Sequence, residues 1–204
     1  MIAIALLLIL TLTSCSGLKP GDLLFHVVEK GNAITDVTPG MIDHVAIVLS
    51  KDSVIEAAPV GKGISEKTTD TVMAGVRITP LNALRQEEGY YIIGRVRRVD
   101  ATRSIANART FLGHSYDHLY LPDNEAIYCS ELVQFSFVDA QGNRLFEPIP
   151  MSFHDETGRI TTYWKTFYEK YDMEVPEGHP GTNPGELSCR ENVRIVGRLQ
   201  KNTK

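Results

Sequence analysis

Two apolar runs only a turn apart set the strongest limit on the fold. His44-Val45-Ala46-Ile47-Val48-Leu49 has no polar residue after its histidine, and Val54-Ile55-Glu56-Ala57-Ala58 follows just beyond the polar turn at residues 50–53. Short runs of this kind, rich in Val and Ile and bounded by turn residues, read as core strands. So short a connection makes them an antiparallel hairpin. A polar ring and a carboxylate inside such strands are costly to bury unless each finds a partner. His44 and Glu56 are 12 residues apart. A loop with an odd residue count puts both side chains on one face, and an even count separates them. The sequence leaves that register open, and with it the alternative that Glu56 is a surface carboxylate on an edge strand.

The rest of the chain adds strands first and helices later. Lys19-Pro20-Gly21-Asp22 is a turn, and residues 23–28 after it read as a buried strand. Residues 76–78 form a short strand and 81–84 a helical turn after Pro80. Residues 90–99 alternate apolar and basic positions, which predicts a strand with Arg95, Arg97 and Arg98 toward solvent. Helices are expected over 104–112, from Cys129 to about residue 140, and within 157–172. In the last of these, Ile160, Tyr163, Trp164, Phe167, Tyr168 and Tyr171 recur at helical spacing and read as core. Residues 175–185 form a loop and 193–199 a closing strand. The order predicts an α+β fold, an antiparallel sheet or small barrel packed against the helix that opens at Cys129.

The N-terminus points to export. Residues 2–10 are all apolar, too few to span a bilayer but enough for a secretory core. Leu12-Thr13-Ser14-Cys15 follows, and it resembles a bacterial lipobox. On that resemblance residues 1–15 are a lipoprotein-type signal segment and Cys15 is the lipidated residue, tethering a single domain, 16–204, to a membrane of the cell envelope. An uncleaved hydrophobic helix is the alternative. Acidic residues outnumber Lys and Arg, 25 to 21, with no long basic run, so nothing here suits a nucleic acid.

Of three cysteines, Cys15, Cys129 and Cys189, the second has the most informative context. Tyr128-Cys129-Ser130-Glu131-Leu132-Val133 places Cys129 in a first helical turn, with Leu132, Val133 and Phe137 on the same face. Unpaired N–H groups and the helix dipole favour a thiolate there, the form that acts as a nucleophile, and can stabilise an oxyanion beside it. Two inert alternatives are a buried packing cysteine and a Cys129–Cys189 bridge. A neutral His44 near Cys129 could accept the thiol proton, and Glu56 on the same face could orient that ring. Asp43 is a second group able to orient it.

The strings Asp43-His44-Val45-Ala46-Ile47-Val48, Val54-Ile55-Glu56-Ala57 and Tyr128-Cys129-Ser130-Glu131-Leu132-Val133 resemble the circularly permuted papain-like amidases. These form a branch of the NlpC-type cysteine hydrolases, related to lecithin–retinol acyltransferase, in which the histidine strand precedes the cysteine helix. Pro20-Gly21-Asp22-Leu23-Leu24-Phe25, Thr79-Pro80-Leu81 and Gly113-His114-Ser115-Tyr116-Asp117 extend the likeness over most of residues 18–150. The resemblance implies Cys129 as nucleophile, His44 as base and Glu56 as its orienter, with Tyr116, Asp117 and Tyr128 lining the substrate cleft. It implies cleavage of peptide-like amides through an acyl-thioester, with no metal or organic cofactor, and an envelope lipoprotein would meet cell-wall peptides or their fragments. An acyl hydrolase or acyltransferase using the same pair is one alternative, and a catalytically silent lipid-tethered binding module is another. His114 and His118, four apart, have the spacing of a metal pair but lack accompanying ligands.

Overall fold

The computed structural model describes residues 17–59, 74–122 and 124–200. The apolar N-terminal segment and Cys15 lie outside the described residues. Strands β1 (Leu23–Val27), β2 (Ile42–Val48), β3 (Ser53–Ala58), β4 (Gly75–Pro80), β5 (Tyr90–Val96) and β8 (Val193–Arg198) form one antiparallel sheet in the order β4-β3-β2-β1-β5-β8. Both faces of its middle are covered, which is why β1, β2 and β3 read as continuous apolar runs. Leu23, Phe25, Val45, Ile47, Ile55 and Ala57 join one core. Leu24, Ala46, Val48, Val54 and Ile93 join a second core, which is closed by Leu81 and Leu84 of helix α1 (Leu81–Leu84).

The first core is closed by α2 (Ala101–Thr110) and α3 (Cys129–Ser136). Helix α2 begins three residues before the expected start because Asp100 caps it, its carboxylate accepting from the Arg103 N–H at 3.0 Å. Helix α3 stops well short of residue 140. Phe137 turns extended, and the Asp139 carboxylate accepts from the N–H groups of Gln141 and Asn143, both at 2.9 Å. A local side-chain bond of this type competes with helix continuation. Strand β5 ends at Val96. Arg95 turns back to Asp22, 2.7 Å away, instead of lying free on the surface, and its guanidinium is held above its usual pKa by that hydrogen bond.

Beyond residue 145 the chain forms a smaller unit. The two-stranded pair of β6 (Ile149–Pro150) and β7 (Pro180–Gly181) flanks α4 (Thr162–Glu169), and α5 (Pro184–Ser188) follows. Met151, Phe153, Trp164 and Tyr168 make a third core against Ile34, Val37 and Tyr120. The aromatic stripe on α4 therefore divides, for Tyr163 and Tyr171 are about half exposed.

One glycine joins the sheet to the segment that carries Tyr116. Gly75 has φ +146°, and a Cβ there would collide with the carbonyl oxygen of His114. The adjacent Val76 N–H donates to that same oxygen at 2.9 Å, so the two strands cannot separate cheaply. Gly75→Ala is expected to cost about 2 kcal/mol or more, read as a lower urea midpoint at unchanged slope.

Candidate active site

Cys129 is the first residue of α3 and is 95% buried. Tyr128 is extended and caps the helix, with its N–H donating to the Glu131 carboxylate at 3.4 Å. Helix α3 packs on β2 and β3, the two strands that carry His44 and Glu56. No disulfide bridge joins Cys129 and Cys189.

The register left open by the sequence resolves in favour of a shared face. Ile47 pairs with Ile55 and Val48 with Val54, leaving five residues between the last paired positions. His44 Nε2–H donates to Glu56 Oε2 at 2.7 Å, and both side chains are 2% exposed. Glu56 is thus no surface carboxylate. β4 covers its strand, Thr79 donates to Oε1 at 2.6 Å, and the Arg77 guanidinium stands 3.5 Å away. Burial alone would raise the Glu56 pKa. The hydrogen bond and charge of His44, with Thr79 and Arg77, outweigh it and hold the group at about 2.

Asp43 takes other partners. Its Oδ1 is 2.7 Å from His26 Nδ1, and its Oδ2 accepts from Asn32 Nδ2 at 2.9 Å. The ladder between β1 and β2 is irregular here, with His26 opposite His44 but Val27 opposite Ile42. Asp43 is the extra residue, and a bulge of this kind re-aims side chains at a strand end. Asp43 consequently lines a narrow cavity of about 50 Å³ into which Cys129 and Ser130 also face.

Three tyrosines complete the wall next to Cys129, namely Tyr116, Tyr120 and Tyr128. Burial raises the pKa of each, and the Cys129 charge is a further cause in all three, so they stand as protonated phenols around the sulfur at neutral pH. Tyr120 holds φ +52°, an uncommon conformation for a side-chain-bearing residue. Asp117 stabilises that loop. Its buried carboxylate accepts from the N–H groups of Leu119 and Leu121, both at 2.8 Å, which shapes the turn bearing Tyr120.

The far wall comes from a distant part of the chain. Met151, Phe153, Trp164 and Thr182 line the cavity, although they lie up to 53 residues past Cys129 in the chain. Tyr128 anchors this wall, its hydroxyl accepting from the Thr182 N–H at 3.0 Å and facing Met151 Sδ at 3.8 Å. A Cβ on Gly181 would strike both Met151 and the Tyr128 hydroxyl, so glycine permits this approach. His114 and His118 lie elsewhere, His114 bonded to the Glu125 carbonyl and His118 edge-on to Tyr116. Among the described residues no group of three or more His, Cys, Asp or Glu side chains is placed to hold a metal ion.

A family model described as "Permuted papain-like amidase enzyme, YaeF/YiiX, C92 family" matches residues 17–197. The chain belongs to this permuted papain-like amidase family. It is accordingly a papain-like cysteine amidase or peptidase, and the order of histidine strand before cysteine helix agrees with the permutation. Among solved structures, yiiX from Escherichia coli O157:H7, described as a metalloprotein, is 20% identical. The match covers 91% of this chain and 98% of that one with a TM-score of 0.66, so the permuted amidase fold is shared. A search of the curated proteins found no match.

Proposed function

We propose that this amidase cleaves peptide-like amides through an acyl-thioester on Cys129, with His44 as base and Glu56 as the residue that positions it. The His44–Glu56 hydrogen bond, 2.7 Å long and buried, carries the reading. Glu56 occupies Nε2, so Nδ1 is the ring nitrogen that takes the thiol proton. Sγ then bonds the substrate carbonyl carbon, Nδ1–H protonates the leaving nitrogen as the C–N bond breaks, and water releases the acid and restores the thiol. The first-turn N–H groups of α3 supply donors for the oxyanion.

Selective alkylation tests the pair. Iodoacetamide is expected to label Cys129 well below pH 8, and the exposed Cys189 serves as the internal reference. His44→Ala should slow Cys129 labelling at least about tenfold and leave Cys189 unchanged. Equal rates at Cys129 in the two proteins would remove His44 from the mechanism.

The location is proposed on the N-terminal string alone. Cys15 carries a lipid after export, so cell-envelope peptides are the amides within reach. Cys15→Ser should move the protein from the membrane pellet to the soluble fraction, and unchanged sedimentation would refute the anchor.

A further inference from the structure

A second buried histidine stands opposite His44 on the neighbouring strand. His26 is 6% exposed, and both of its ring nitrogens are engaged. Nδ1 is 2.7 Å from Asp43 Oδ1, and Nε2 is 2.7 Å from the Glu88 carbonyl oxygen. Two further groups face the ring. Glu87 Oε2 is 3.9 Å from Nε2, and Tyr91, which donates to that carboxylate at 2.7 Å, lies against the imidazole with centroids 4.8 Å apart. Gly89 has φ +74°, and a Cβ there would collide with the Val27 carbonyl oxygen and crowd His26 Nε2, so glycine lets the start of β5 close over the ring.

A carbonyl oxygen only accepts, and a neutral imidazole donates from one nitrogen alone. With that single proton on Nδ1, two lone pairs would face each other at Glu88. With it on Nε2, the ring would face an ionised Asp43 in the same way. Both contacts hold at once only when the His26–Asp43 pair carries two protons, one on Nε2 and one between Nδ1 and Oδ1. The other Asp43 oxygen is tied as well. It accepts from Asn32 Nδ2 at 2.9 Å, and the Asn32 amide is oriented by its own oxygen, which accepts from the N–H groups of Ile34 and Thr35.

What these bonds hold is the extra residue of the bulge, directly before His44 in the chain. Fixing the Asp43 side chain fixes the peptide that leads into His44, and a bulge free to slide would turn that ring off Glu56. We propose that His26 and Asp43 are positioning residues for His44: the proton they share pins the bulge, and the bulge aims the imidazole. Asp43 thus acts on the base through the backbone, with no direct bond to its ring required. The inference rests on the reading of His44 as base for what is positioned, but the proton count on His26 does not.

Two measurements on the full chain test it. Ring-nitrogen NMR of isotope-labelled histidine at about pH 7 should show both nitrogens of His26 protonated in the wild type. In Asp43→Asn only Nε2 should be, because the asparagine keeps its oxygen toward Asn32 and turns its NH₂ to Nδ1, which then accepts. That variant retains every hydrogen bond of the cluster, whereas His26→Ala and Asp43→Ala break them. Iodoacetamide labelling of Cys129 at about pH 6.5, taken relative to Cys189, should fall about tenfold in both alanine variants and stay within about twofold in Asp43→Asn. A bare nitrogen on His26 in the wild type would overturn the shared proton. An unchanged labelling ratio in His26→Ala, with a folded near-ultraviolet spectrum, would overturn the positioning role even if the unfolding midpoint dropped. Slowed labelling in His44→Ala beside that unchanged ratio removes this inference alone, and wild-type labelling in His44→Ala removes the reading of the base as well.

Discussion

Replacing Cys129 by alanine is expected to lower amide turnover by on the order of 10⁴-fold or more while the fold survives. The size follows from the role proposed for it: without Sγ no acyl-thioester forms, and nucleophile and base act as one unit, so little is left by removing either. The thiol is a small part of the core, packed with Leu132, Val133 and the Val45–Ile47 face. Loss of one sulfur there costs only about 1 kcal/mol. Thermal unfolding should therefore shift by a few degrees, and turnover should vanish. A variant that unfolds, or one that hydrolyses at the wild-type rate, contradicts the assignment. Cys129→Ser is the informative companion. It keeps the volume and a hydroxyl but not the accessible anion, and it should be nearly as inactive.

The second large effect belongs to Glu56→Gln, which preserves shape and removes charge. The wild-type carboxylate has its pKa lowered from 4.5 to about 2 despite burial, because His44, Thr79 and Arg77 favour the ionised form. A group depressed in the folded state adds stability above its unfolded pKa, and that stability is lost as pH falls through the folded value. The loss should run from about pH 4.5 down to about pH 2 and amount to about 3 kcal/mol. Chemical unfolding at a series of pH values should show this slope in the wild type and not in Glu56→Gln. Parallel curves would mean that Glu56 is not held as described.

Activity should fall as well, by about a hundredfold or more, though less than in Cys129→Ala. The reason is directional. Thr79 O–H and the Arg77 guanidinium both favour an oxygen at the Oε1 position. The glutamine would then turn its NH₂ toward His44 Nε2, forcing that nitrogen to accept and placing the ring proton on Nδ1. A ring in that tautomer cannot take the thiol proton, which is the defect seen when a triad carboxylate becomes an amide. The loss should appear in kcat more than in KM. An unchanged kcat with an altered KM would assign Glu56 to substrate binding instead.

Much of the catalytic half of the molecule was legible because its signals are local. The apolar runs at 44–49 and 54–58 required core strands, and the cost of burying His44 and Glu56 predicted that each would have a partner. They are one another's partner, at 2.7 Å. Likewise the first-turn position of Cys129 could be read from the helical face that follows it. Element ends were less legible, since competing side-chain bonds decide them. Asp100 starts α2 early, and Asp139 ends the run after Phe137.

What the sequence by itself determined is therefore the α+β class, the hairpin, and the residue types for a cysteine-based reaction, all of which depend on neighbours along the chain. The tertiary structure alone decided the loop parity that joins His44 to Glu56, the bulge that turns Asp43 to its own partners, and the two N–H bonds by which Asp117 holds the loop bearing Tyr120. It alone also brought Met151, Phe153, Trp164 and Thr182 to the sulfur. The physical reason is that a cavity is made by surfaces from distant segments, and what brings them together is the burial of the third core, where the aromatic stripe that could be read from its helical spacing meets Met151 and Phe153, which no short stretch of sequence placed there.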